Sequence, residues 1–155
     1  MVNIFGYGSK GRVTKPSGKI QDNLVYIMLE YIDGGLLFDL CQTVGDKGFT
    51  EDNARFLFTQ IVELVSYLHS KGVAHRDLKL ESILVDKNLR VKVIGFGSAT
   101  FKHVKNLESY KGTFGYMAPE IMSSKKYNGF QTDIFSLGVI LFILLKGHYP
   151  FQEAK

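Results

Sequence analysis

Residues 75–97 read HRDLKLESILVDKNLRVKVIGFG, and the organisation of the chain unfolds outward from them. The polar run His75-Arg76-Asp77-Leu78-Lys79 leads into two short apolar strands, Ile83 to Val85 and Val91 to Ile94, with Lys87-Asn88 turning between them. Upstream lies an amphipathic helix from about Glu51 to Ser70. Thr50 can cap it, and Glu51 and Asp52 complement the positive end of its dipole. Ala54, Leu57, Phe58, Ile61, Val65 and Leu68 recur at helical spacing, and Gly72 supplies the stop. Downstream, Gly95 to about Lys126 shows little periodicity and reads as a loop region. An apolar helix from about Thr132 to Leu145 follows, ended by Gly147. Its apolar run Ile134 to Leu145 is interrupted by Ser136 and Gly138, too short for a bilayer and suited to a protein core.

The amino-terminal part is organised differently. Residues 1–22 are glycine-rich and basic, with a turn at Pro16-Ser17-Gly18. A strand at Val2–Phe5 followed by a glycine-rich connection is expected there. Asn23 to Glu30 is apolar on both faces and reads as a buried strand. After Asp33-Gly34-Gly35 a short helix runs from Leu36 to Thr43 and stops near Gly45. The expected division is a basic segment at 1–22 and one domain over 23–155.

The 155 residues are 45% hydrophobic, 13% aromatic and 22% charged, an ordinary globular composition that excludes collagen-like and disordered classes. Cys41 alone makes no disulfide framework, and no CxxC or paired-histidine spacing suggests zinc. A reducing interior is the expected compartment. The net charge of +4 comes from Lys10, Arg12, Lys15 and Lys19 in the first twenty residues, which hold no acid. The other 135 residues balance 15 bases against 15 acids, so no basic field points to nucleic acid. No signal-peptide core follows Met1, and the expectation is an intracellular, cytoplasmic protein with no membrane or nucleic-acid partner.

Alone, His75-Arg76-Asp77 is a tripeptide that arises by chance. Its order with Gly95-Phe96-Gly97, Gly112-Thr113, Tyr116, Met117-Ala118-Pro119-Glu120 and Asp133-Ile134-Phe135-Ser136-Leu137-Gly138 is far more specific. This series, on those elements, closely resembles the eukaryotic protein kinases over residues 23–155. Lys79 and Thr113 look like the serine/threonine branch. Glu30-Tyr31, Gly34-Gly35 and Leu37-Phe38-Asp39 are similar to the calmodulin-regulated and AMP-activated kinases. The implied fold is α+β: mainly the helical carboxy-terminal lobe of a kinase, with remnant strands of the amino-terminal lobe.

The resemblance also implies roles. Asp77 would accept the proton of a substrate hydroxyl and Lys79 would neutralise charge on the transferred phosphoryl group, with Thr113 beside them. Glu30 to Ile32 would form the hinge that meets adenine, with Leu29 behind it and Leu84 as the floor under the base. Arg76 would pair with a phosphate on the activation segment Gly95–Glu120, and Ser109 is the best-placed acceptor. The implied cofactors are ATP and Mg²⁺, and the implied partner is a protein or peptide.

Four departures bear on activity. The Asp-Phe-Gly motif, whose aspartate holds Mg²⁺, stands as Gly95-Phe96-Gly97. The metal-binding asparagine of the catalytic loop is Ser82, and the acid that meets the ribose is Leu36. Finally, the glycine loop, lysine strand and regulatory helix of the amino-terminal lobe have no counterpart, nor do the last helices, one of which normally supplies an arginine to pair with Glu120. Gly6-Tyr7-Gly8-Ser9-Lys10-Gly11-Arg12-Val13 fits the glycine-loop pattern, but only eighteen residues separate Gly11 from Glu30. Four strands and a helix need roughly 50 residues there. The expectation is therefore a kinase-family chain with impaired phosphoryl transfer. The alternatives are a pseudokinase binding module and a fragment that does not fold independently.

Overall fold

The computed structural model describes residues 2–101, 104–123 and 126–151. Lys102 and His103, within the expected activation segment, lie outside the described residues. The chain divides into two units, residues 1–32 and residues 33–155.

The first unit is a hairpin. Strand β1 (Ile4–Thr14) pairs antiparallel with β2 (Ile20–Leu29) around the Pro16-Ser17-Gly18 turn. Two sequence expectations are corrected here. The glycine-rich stretch after Phe5 is strand, not connection. Furthermore, β2 is exposed rather than buried: Val25 is 82% and Ile27 63% accessible. Apolar side chains on both faces signal burial only when layers cover both faces, and a two-stranded sheet supplies none.

The register explains the glycines. Gly6 lies opposite Met28, Gly8 opposite Tyr26 and Gly11 opposite Leu24. A Cβ on Gly11 would stand 2.6 Å from Tyr26 Cδ1, and one on Gly8 would stand 2.8 Å from the Tyr26 hydroxyl. The tyrosine ring thus lies against bare β1 backbone, a close approach that a side chain would block. The glycine pattern serves cross-strand packing inside a strand.

The second unit is built on α2 (Glu51–Ser70) and α4 (Gly129–Lys146). Ala54, Leu57, Ile61, Val65 and Leu68 form the buried stripe of α2, as the sequence spacing predicts. The Thr50 hydroxyl accepts from Asn53 N and caps the helix. Helix α4 begins three residues earlier than expected, because the Asn128 side chain accepts from Phe130 N. It ends at Gly147 in the left-handed conformation. By length and composition α4 could cross a membrane, yet half of it is buried in this unit, with Leu137, Ile140, Ile143 and Leu144 in the core. That placement is what a core helix requires.

Helix α1 (Leu37–Val44) buries Leu37 and Cys41 against the same core, as do the paired strands β3 (Ile83–Val85) and β4 (Val91–Val93). The loop expectation over Gly95 to Lys126 needs one correction. Pro119–Met122 is a short helix, α3, opened by proline at its first position, where the missing N–H costs nothing. Met117, Ala118, Ile121 and Tyr127 make a second small cluster around it.

Two predictions follow from this packing. Gly11→Ala should displace the Tyr26 ring, cost the hairpin about 1–3 kcal/mol and lower amide-exchange protection across β1–β2. Unchanged protection would show that the ring does not need the bare backbone. Burial pushes the Cys41 thiol up from 9.0 to about 11, so the fold favours the protonated form. Its contribution to stability is full below about pH 9 and is lost as pH rises towards 11. Near pH 10 the native thiol should alkylate far more slowly than the urea-unfolded one, and equal rates would refute the burial argument.

Candidate active site

The catalytic-loop residues are held from a distance by a single carboxylate. Asp133, in the first turns of α4, is 1% accessible. Its Oδ2 accepts from His75 N at 2.9 Å and its Oδ1 from Arg76 N at 2.7 Å. His69, in the last turn of α2, places Nε2 2.9 Å from the same Oδ2. This double grip accompanies a left-handed Arg76, φ +63°, which a non-glycine residue adopts only under constraint.

His75, fully buried, ties the loop to the end of β4. Its Nε2 meets Ile94 O at 2.9 Å, and its Nδ1 accepts from Asp77 N at 3.3 Å. One ring nitrogen faces an acceptor and the other a donor, the pattern of the Nε2–H tautomer. The bond to Ile94 fixes the approach to Gly95, whose φ is +83°.

Asp77, Lys79 and Thr113 converge although Thr113 lies 36 residues beyond Asp77. The Thr113 hydroxyl donates to Asp77 Oδ1 at 2.6 Å, and Lys79 Nζ donates to the Thr113 hydroxyl at 2.7 Å. Lys79 Nζ is 3.6 Å from Asp77 Oδ2. Arg76 reaches the other way: Nε donates to Ser98 O at 2.7 Å and Nη1 to the Ser109 hydroxyl at 2.8 Å. The Tyr127 hydroxyl donates to Ser109 O at 2.6 Å, so the segment is held on both sides of Ser109.

The other expected residues are placed separately. Glu30 and Ile32 close the first unit, where Glu30 Oε2 accepts from Asn3 N. Leu29 is half exposed at the end of β2. Leu84, half-buried on β3, bridges to Leu36 in the second unit. The Ser82 hydroxyl is buried and faces the backbone of Lys79, accepting from its N at 3.0 Å and donating to its O at 2.9 Å. A Cβ on Gly95 would lie 3.6 Å from Ser82 Cβ.

Sequence reasoning assigned no role to Asp133 or to the buried Tyr116. Both stand in the motif series that carries the family resemblance, and that was the available signal for them. The Tyr116 hydroxyl accepts from Tyr149 OH and Leu80 N and is 3.4 Å from Glu81 Oε2. It links the segment after Thr113 to the catalytic loop. Burial, then the Tyr149 bond and the Glu81 charge, hold its ionisation far above the ordinary phenol range.

The sequence profile described as Protein kinase domain matches residues 11–155. The chain belongs to this family. Relatives include "CBL-interacting protein kinase 9" of Oryza sativa subsp. japonica, 44% identical over 133 residues, which cover 83% of this chain and 29% of the relative. Another is "CBL-interacting serine/threonine-protein kinase 8" of Arabidopsis thaliana, 46% identical over 131 residues, with the same coverage. The chain spans about 29% of the length of these relatives. The kinase fold class and the serine/threonine branch are as the motifs implied.

Kinases of this family use ATP and Mg²⁺, and the metal donors here do not fit. Magnesium is held by carboxylate oxygens with water and phosphate. Gly95 offers no ligand, the Ser82 hydroxyl is engaged with backbone, and Asp77 Oδ1 is engaged by Thr113. Among the described residues no group of three or more His, Cys, Asp or Glu side chains is placed to hold a metal.

The Asp133 grip is directly testable. Asp133→Ala leaves two loop N–H groups without their acceptor and should lower unfolding free energy by roughly 3–5 kcal/mol in a urea titration. A loss under about 1 kcal/mol would mean the loop is held by other contacts.

Proposed function

We propose that this chain is a kinase-fold protein whose phosphoryl transfer is severely impaired and which acts as a binding module for a protein partner. The observation that carries the reading is the missing donor set beside Asp77: Gly95 replaces the metal carboxylate, and the Ser82 hydroxyl is turned into the Lys79 backbone. The residues that would act on a substrate remain. Asp77 would take the hydroxyl proton, Lys79 would offset charge on the phosphoryl oxygens, and Thr113 would position both. ATP would be met by Glu30, Ile32, Leu84 and Lys79. Arg76 would answer phosphorylation of Ser109, since its guanidinium already touches that hydroxyl. The alternative is a kinase gene fragment that does not fold alone; the continuous core of the second unit favours the module. A cytoplasmic site of action and a protein partner belong to the same proposal, the latter supported by relatives named for an interaction with CBL.

Losing one preorganised charge-stabilising group costs about 10²–10³ in rate. Kinases turn over at about 1–100 s⁻¹. With Gly95 in place of the metal carboxylate and the Ser82 hydroxyl engaged with backbone, phosphate incorporation at saturating ATP and Mg²⁺ should fall at least about 10²-fold below that range. Turnover within the range would overturn the proposal. Gly95→Asp tests the cause. The site has room for a Cβ, and aspartate tolerates a positive φ better than most residues. Fused to a complete amino-terminal lobe, the variant should transfer phosphate faster than the same fusion carrying Gly95; equal rates would mean Gly95 is not the lesion.

A further inference from the structure

Residues 104–109 belong to no helix or strand, yet they are fixed at several points to residues 126–129. Leu107 and Tyr127 exchange both backbone hydrogen bonds, each 2.9 Å, as an isolated antiparallel bridge. Gly129 N donates to Val104 O at 2.8 Å, and the Tyr127 hydroxyl donates to Ser109 O at 2.6 Å. Apolar contact backs these bonds. Tyr127 is buried with Met117, Ala118 and Ile121, and Leu107 packs against the same cluster. The Leu107 side chain comes so near the bare backbone of Gly129 that a Cβ there would stand 3.1 Å from its Cδ1. Lys126 also meets Glu108 at 3.4 Å, but both side chains are about two-thirds exposed, so that pair contributes little.

None of these contacts uses the Ser109 side chain. Ser109 is exposed, and its hydroxyl accepts from Arg76 Nη1 at 2.8 Å. A segment that is ordered by phosphorylation draws its order from new arginine–phosphate pairs. Here main-chain bonds and a buried tyrosine supply order without one. We propose that Tyr127 is a positioning residue that holds residues 104–109 in place before any phosphate is added and keeps Ser109 against Arg76. Its backbone carries the bridge to Leu107, and its hydroxyl fixes the Ser109 carbonyl and lies 3.5 Å from Arg76 Nη1. Building on the reading of Arg76 and Ser109 as a phosphate-responsive pair, phosphorylation would bring negative charge to a segment already ordered.

The test is amide hydrogen exchange on the full chain with Ser109 unmodified. The Leu107, Tyr127 and Gly129 amides should be protected. Tyr127→Phe removes the hydroxyl and leaves the bridge. Loss of that one bond should speed exchange at Leu107 about 2–10-fold while α2 amides keep their rates. Unchanged exchange at Leu107 would overturn the proposal, and so would an equal rise across α2, which would make Tyr127 a general stability residue. Ser109→Ala removes only the side chain and should leave Leu107 within about 2-fold of the unmodified rate; a larger rise would mean that the Arg76 contact, not Tyr127, holds the segment. A chain synthesised with phosphoserine at position 109 separates the two readings. If Leu107 is protected only in that chain, the proposal falls and the Arg76 reading stands. If the phosphate leaves exchange around Ser98 and Ser109 unchanged and Leu107 is protected in both chains, the Arg76 reading falls and the role of Tyr127 stands.

Discussion

The buried carboxylate of Asp133 is the constraint from which the active-site arrangement is built. A carboxyl group at 1% accessibility is costly unless its lone pairs are taken up. Here they are taken up by His75 N, Arg76 N and His69, so the requirement of Asp133 becomes the geometry of the loop. Arg76 turns left-handed, its side chain reaches Ser98 and Ser109, and Asp77 meets Thr113. A single side chain at the start of α4 joins the end of α2, the catalytic loop and, through Arg76, the segment around Ser109.

That dependence separates fold from chemistry. Nothing in the Asp133 network uses a metal, so the loss of the metal carboxylate leaves it untouched. Glycine even suits position 95, where φ is +83° and a left-handed backbone penalises most side chains. The register of the catalytic loop therefore does not depend on a carboxylate at position 95. Intact His75-Arg76-Asp77 geometry is evidence of ancestry and packing, and does not by itself speak to turnover.

The sequence was legible where burial is one-sided. The α2 stripe follows helical periodicity and its cap follows Thr50, so that element could be placed residue by residue. The hairpin was not, because apolar residues on both faces look alike whether covered or bare, and glycines that receive Tyr26 look like turn glycines. Helix α3 escaped notice because four residues carry no period; only Pro119 marked its start. The site shows the same divide. Asp77 and Thr113 are 36 residues apart and Asp133 lies 56 beyond Asp77, so no local spacing could unite them. Resemblance to a family picked out all three, but only the fold supplied the role of the third.

The surviving catalytic cluster is also closed upon itself. Lys79 stands 3.6 Å from Asp77 Oδ2, and Thr113 bridges the two through its hydroxyl. Both charged side chains keep about a quarter of their surface in solvent, so the ion pair itself is partly screened. The Thr113 bond to Asp77 is of the charge-assisted kind, about 1.5–3 kcal/mol. A substrate hydroxyl seeking Asp77 Oδ1 has to match or share that bond before any proton moves. In an enzyme with bound metal and nucleotide, developing charge in the transition state offsets such a displacement. Gly95 brings no carboxylate to that compensation, and Asp77 is paired with Thr113 of its own chain.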